Sequence, residues 1–190
     1  SLVVVYFGRD FDARTGSAKD STAYTASGHG LIIINLRHSV VGIGIKFTCS
    51  ADSTCDLSKE LIEKYNVGIT PLYIVRDGQS FVDGVTITPE DIYAHVDAGG
   101  DICSTAAVTV ADYEDFFKKQ LEDYDAVVHF CISSEMSSCY QNACIAAEEL
   151  GNVYVVDSRN LSCGMGHLVL DAAELAAQGM EARRRTVSSL

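Results

Sequence analysis

No apolar run in the 190 residues approaches the roughly 18 to 20 needed to span a bilayer, so stable membrane insertion is not expected. The apolar start, residues 1–6, lacks the basic flank and long apolar stretch of a signal peptide. Basic residues are scarce: 14 Lys and Arg stand against 26 Asp and Glu, a net charge of -12. That balance argues against a nucleic-acid partner, because phosphate neutralisation needs clustered cations. It argues equally against docking on an anionic membrane surface. There is no C-x-x-C pair and no Cys/His set with zinc-finger spacing, although seven cysteines are present: Cys49, Cys55, Cys103, Cys131, Cys139, Cys144 and Cys163. Their odd number and their place inside apolar patterns read as buried, reduced thiols, which fits a cytoplasmic location better than a disulfide framework. G-x-S-x-G, the Walker A pattern and G-x-G-x-x-G are also missing.

What is present is enough chain for one well-packed domain, able to bury roughly 70% of its unfolded surface. From residue 43 the pattern alternates between apolar strands and amphipathic helices. Strands are expected over 43–50, 69–75, 126–132 and 153–156. Helices are expected over 57–65, from Thr88-Pro89 to Gly99-Gly100, over 109–124, over 137–150 and over 165–178, where Gly179 should stop the last one. Asp77-Gly78 marks a turn into a short extended piece. Alternating β and α with continuously apolar strands predicts an α/β fold, a parallel sheet layered by helices. The 165–178 helix is apolar nearly all round and should be covered on more than one side. Residues 1–42 have weak periodicity and stay unassigned, 43–182 form the domain, and 183–190 read as a C-terminal stub.

In open α/β sheets ligands bind beyond the carboxyl ends of the strands. Four such junctions carry hydroxyls: Ser53 and Thr54 after the first strand; Ser104 and Thr105 ahead of the 109–124 helix; Ser133, Ser134, Ser137 and Ser138 after the third strand; Ser158 and Ser162 after the fourth. Helix N-termini present unpaired N–H groups, and Ser and Thr add neutral donors, so such places can hold a carboxylate or phosphate without a buried cation. Helix capping is the default role for any one of these residues. His129 lies within an apolar strand and reads as a satisfied core histidine rather than a catalytic base; His29 and His38 lie in the weakly patterned start.

Several ordered pieces carry a family resemblance. Asp52-Ser53-Thr54-Cys55-Asp56-Leu57 is followed by Pro71-Leu72 and by Phe81-Val82-Asp83-Gly84-Val85-Thr86-Ile87. Then come Thr105-Ala106-Ala107-Val108-Thr109, the stretch Ile132-Ser133-Ser134-Glu135-Met136-Ser137-Ser138-Cys139-Tyr140-Gln141-Asn142-Ala143, and Val155-Val156-Asp157-Ser158. These resemble D-S-T-x-D-L, P-L with Y-x-D-G-x-x-I, T-S-Q-P-S, I-S-S-x-L-S-G-T-Y-Q-x-A and V-x-D-S in the first domain of the DegV proteins, bacterial fatty-acid-binding proteins. The resemblance covers about residues 46–182. It implies a long-chain fatty acid as ligand, no other cofactor and no metal, presentation of the carboxylate to a separate fatty acid kinase, and no catalysis by the chain itself. It implies Thr105 and Ser137 as the carboxylate-holding residues, with Ser53, Ser104 and Ser138 as secondary candidates. Ala106, Ala107 and Val108 depart from S-Q-P, Ser138-Cys139 departs from G-T, and the family's second domain is expected to be missing. Two alternatives stand beside this: a small-anion or phosphoryl-transfer enzyme using Asp52 and Asp83 with a divalent metal, and an inactive fragment.

Overall fold

The computed structural model describes residues 3–6, 24–26, 31–35 and 47–187, with side chains described over 47–174. The strand expectation over 43–46, His29, His38 and residues 188–190 lie outside that set. Three short strands, β1 (Val3–Tyr6), β2 (Tyr24–Ala26) and β3 (Leu31–Asn35), form a small sheet in which β3 pairs in parallel with β1 and antiparallel with β2.

The main sheet has four parallel strands in the order β10-β9-β4-β5. They are β4 (Phe47–Asp52), β5 (Gly68–Thr70), β9 (Ala126–Cys131) and β10 (Val153–Asp157). Every residue of β4 and β9 is buried; β9 reads as an apolar run broken only by His129, whereas β4 alternates apolar residues with the buried polar Thr48, Ser50 and Asp52. One face carries Cys49, Ala51, Val128 and Phe130 against Met165, Val169 and Ala172 of α5 (Ser162–Val187), with Leu57 ahead of α1 (Lys59–Tyr65) and Tyr65 at its end. The other face carries Val127, Cys131 and Val155 against Tyr113 and Phe117 of α3 (Val110–Asp123) and Cys139, Ala143 and Ala147 of α4 (Cys139–Leu150). Helices on both faces of a parallel sheet are what the α/β pattern predicts.

Chain order and strand order part company between β4 and β9. The chain leaves β4 toward β5 on one side, then returns to build β9 and β10 on the other. The carboxyl ends of β4 and β9 therefore flank a topological switch point, the place where open α/β sheets leave a crevice.

Three expectations need correction. The 69–75 run is two strands in two sheets, because Pro71 has no N–H to continue a ladder. β5 ends at Thr70, and β6 (Tyr73–Arg76) joins a separate antiparallel sheet ordered β7-β6-β8, with β7 (Gln79–Val82) and β8 (Ser104–Ala106). Asp77 and Gly78 both have positive φ, 52° and 76°, the type I′ geometry that lets β6 and β7 pair directly. α5 begins at Ser162 and runs through Gly179 and Arg183-Arg184-Arg185 to Val187. It is also one-sided where described: Met165, Leu168, Val169, Ala172 and Ala173 are buried, while Cys163, His167, Asp171 and Glu174 are exposed. α2 (Pro89–Asp97) forms as read, with Thr88 capping and Pro89 in its first turn.

Candidate functional site at the sheet switch point

Asp52 ends β4 with its side chain wholly buried. One carboxylate oxygen accepts from the Tyr113 hydroxyl at 2.6 Å and from His129 Nε2 at 3.2 Å. The other accepts the Ile132 amide at 3.0 Å. A carboxylate only accepts, so His129 donates from Nε2, while its Nδ1 is hydrogen-bonded to Ser50 Oγ at 2.9 Å. The imidazole is packed edge-on against the rings of Tyr113, Phe116 and Phe117. His129 is thus the satisfied core histidine that its apolar surroundings suggest. A buried charge is tolerable here because both of its oxygens are hydrogen-bonded.

The turn that follows β9, residues 132–138, is pinned at three points, one of them the Ser133 amide on the Asn160 carbonyl at 3.1 Å. Its root is the Ile132 amide on Asp52. Its middle is Ser134, which donates both amide (3.1 Å) and hydroxyl (2.6 Å) to Asp157 at the end of β10. The turn delivers Ser137 to the start of α4. Ser137 Oγ accepts the Cys139 amide at 3.3 Å and donates to the buried Cys139 sulfur at 3.2 Å. Ser138 occupies the N-cap position but makes no capping bond, unlike Ser58, Thr88 and Thr109, whose side chains cap α1, α2 and α3. At α4 the side-chain acceptor is Ser137, one residue ahead of the N-cap position, and it covers the Cys139 amide alone.

Thr105 lies in β8, opposite Ile74, and is exposed. It belongs to a strand rather than to a bare helix junction. Its hydroxyl makes no hydrogen bond among the described residues. The segment after it is fastened to α4: Asn142 Nδ2 donates to the Val108 carbonyl at 2.8 Å, and Val108, Ile132, Cys139 and Leu72 share one core cluster. Ser104 is also exposed in β8, opposite Val75. Ser53 is occupied structurally. It donates to Asp83 at 2.7 Å and accepts the Leu72 amide at 3.1 Å, tying the single 3₁₀ turn Ser53–Cys55 to the β6–β7 hairpin. Thr105 and Ser137 thus have their carrying segments brought together, while Ser53 is committed elsewhere.

Asp52 and Asp83 do not form an open carboxylate pair. The first is filled by three donors, and the second holds Ser53. Asp52, His129 and Cys131 have ligand-type atoms within 4.8 Å of one another. Burial pushes the Cys131 thiol well up from its ordinary value, and the Asp52 oxygens and the His129 nitrogens all have hydrogen-bond partners. Asp52, Tyr113, His129 and the Ile132 amide form a hydrogen-bonded core that no local sequence pattern records, because Asp52 lies 61, 77 and 80 positions from its three donors.

Comparison with known proteins gives the chain its relatives. The family model described as "Uncharacterised protein, DegV family" matches residues 46–184. A DegV domain-containing protein of Clostridium perfringens is 37% identical over 137 residues, 71% of this chain and 49% of the relative. One from Clostridium acetobutylicum is 35% identical over 136 residues, 70% of this chain and again 49% of the relative. The chain spans about half the length of the curated relatives it matches. Among solved structures it resembles a fatty-acid-binding DegV family protein from Thermus thermophilus, with TM-score 0.67 and 33% identity over 76% of this chain and 53% of the other. It also resembles a stearic-acid-binding protein from Eubacterium ventriosum, with TM-score 0.64 and 32% identity over 70% and 48%. With the family model covering most of its length and the fold agreeing, this chain belongs to the DegV family.

Proposed function

We propose that the chain binds one long-chain fatty acid and holds its carboxylate on the hydroxyls of Thr105 and Ser137. The observation that carries this reading is the pairing of an unengaged Thr105 hydroxyl with the Ser137 hydroxyl at the α4 start, where Ser138 makes no capping bond, on segments fastened together by the Asn142–Val108 bond. Neutral donors beside a helix N-terminus suit a carboxylate. Relatives whose structures were solved as fatty-acid binders support the ligand class. Ser138 and Ser104, exposed next to the two principal hydroxyls, are secondary contacts.

In this reading residues 43–182 are the lipid-binding α/β domain, and the chain is a carrier. It performs no chemistry, needs no cofactor beyond its ligand, and presents the carboxylate to a separate fatty acid kinase in the cytoplasm. Extraction of the purified protein followed by mass spectrometry tests the ligand. Bound fatty acid, or uptake of palmitate or oleate by the folded protein, is the expected result. Folded protein that carries none and takes up none refutes the carrier reading, and equal affinity for a fatty acid and its methyl ester refutes the head-group assignment.

A further inference from the structure

We propose that Asp52 is the positioning residue of the head-group site, acting through the Ile132 amide to set where the 132–138 turn leaves the sheet and hence where the Ser137 hydroxyl stands. The inference rests on the carrier reading above. Asp52 ends β4, and the turn begins as β9 ends, so the bond between them spans the switch point itself. The bond is charge-assisted and wholly buried, the setting in which an amide–carboxylate contact is short and directional. Tyr113 and His129 hold the other carboxylate oxygen and fix the orientation of the group. The Asn160 carbonyl takes the Ser133 amide at 3.1 Å and Asp157 holds Ser134 further along, so Asp52 is the anchor of Ile132, the first residue of the turn. Rotation of the turn about Ile132 would carry Ser137, and with it the acceptor of the Cys139 amide, away from the start of α4.

Asp52→Asn in the full chain separates this role from mere core stability. An amide side chain that keeps its oxygen toward Tyr113 and His129 turns its NH₂ toward the Ile132 N–H, leaving that amide without an acceptor. Ser50→Ala trims the same network at its far end, where the Ser50 hydroxyl is hydrogen-bonded to His129 and not to Asp52. Two readouts are compared in parent and variants: amide hydrogen exchange over 132–138, and the affinities for oleate and methyl oleate. The expected result for Asp52→Asn is faster exchange in the turn and oleate binding weakened about tenfold or more, as for loss of a hydrogen bond to a charged group. Methyl oleate binding should hold, and Ser50→Ala should match the parent in both readouts. Unchanged turn exchange in Asp52→Asn, or acid and ester affinities that fall together, overturns the proposal. If the parent takes up no oleate, the carrier reading fails by itself and exchange alone decides: a rise confined to the turn keeps the positioning role, and a flat profile removes it. Should Asp52→Asn fail to fold, scalar coupling between the Ile132 amide nitrogen and the Asp52 carboxyl carbon in the parent chain decides. Its presence supports the assignment and its absence overturns it.

Discussion

The hydroxyls of Thr105 and Ser137 start from different states. Thr105 is exposed in β8 and faces water, whereas Ser137 gives its proton to a thiol and accepts a backbone amide. Sulfur is a weak acceptor, so the Ser137 proton can turn to a carboxylate at small cost while the Cys139 amide stays on its oxygen. Thr105→Val and Ser137→Ala should each weaken oleate binding by about 1.5 to 3 kcal/mol, the range for hydrogen bonds to charged groups, as calorimetric titration would register. Gly166 works at the same scale for a different reason. A Cβ there would stand 2.6 Å from the Cys55 carbonyl oxygen, a backbone atom that cannot swing aside. Gly166→Ala should therefore lower stability by about 1 to 3 kcal/mol, seen as a drop in the denaturant midpoint, because α5 must back away from the turn after β4. The serine and threonine positions were legible in the sequence as members of a recurring motif. The Gly166 requirement was not, since it depends on which backbone α5 meets.

At the scale of elements, the helix starts read most faithfully from sequence. Thr109 caps α3 and shares a reciprocal box with Asp112, whose carboxylate also accepts from Tyr73 of β6 at 2.9 Å. The Thr109 hydroxyl bond, foremost, holds Asp112 below its ordinary 3.8. A carboxyl depressed on folding contributes stability above its unfolded value and loses it as pH falls through the folded one. The first turn of α3 and its tie to β6 should therefore loosen only below about pH 4, visible as faster amide exchange for residues 110–113, and Asp112→Asn should abolish that pH step. Element ends governed by tertiary neighbours were less legible. Pro71 split an apolar run whose periodicity alone could not show that its halves join different sheets. α5 passed Gly179 because a single glycine inside a helix weakens it only modestly, by about 1 kcal/mol.

Across the whole molecule, burial sorts the seven thiols. Cys49, Cys55, Cys131 and Cys139 are buried, Cys103 and Cys144 half-buried, and Cys163 exposed, all of them free. Burial pushes Cys49 up to about 12 and Cys131 well above its ordinary value, and the thiolate is the reactive form. A disulfide reagent at about pH 8, near the ordinary thiol value, should therefore label Cys163 at once, and Cys49 and Cys131 only on unfolding, as peptide mapping by mass spectrometry would show. The sequence by itself determined that the chain alternates β with α, that the 126–132 strand is buried, where α2 and α3 begin, and which hydroxyls follow its strands. Local spacing and the burial demands of apolar runs suffice for all of these. Only the tertiary structure decided that β4 and β9 are neighbours. That pairing makes the switch point, sets Asp52 against the Ile132 amide and His129, and fastens the Thr105 segment to the start of α4. Such contacts link residues tens of positions apart, and no periodicity in a linear chain records which distant strands will lie side by side.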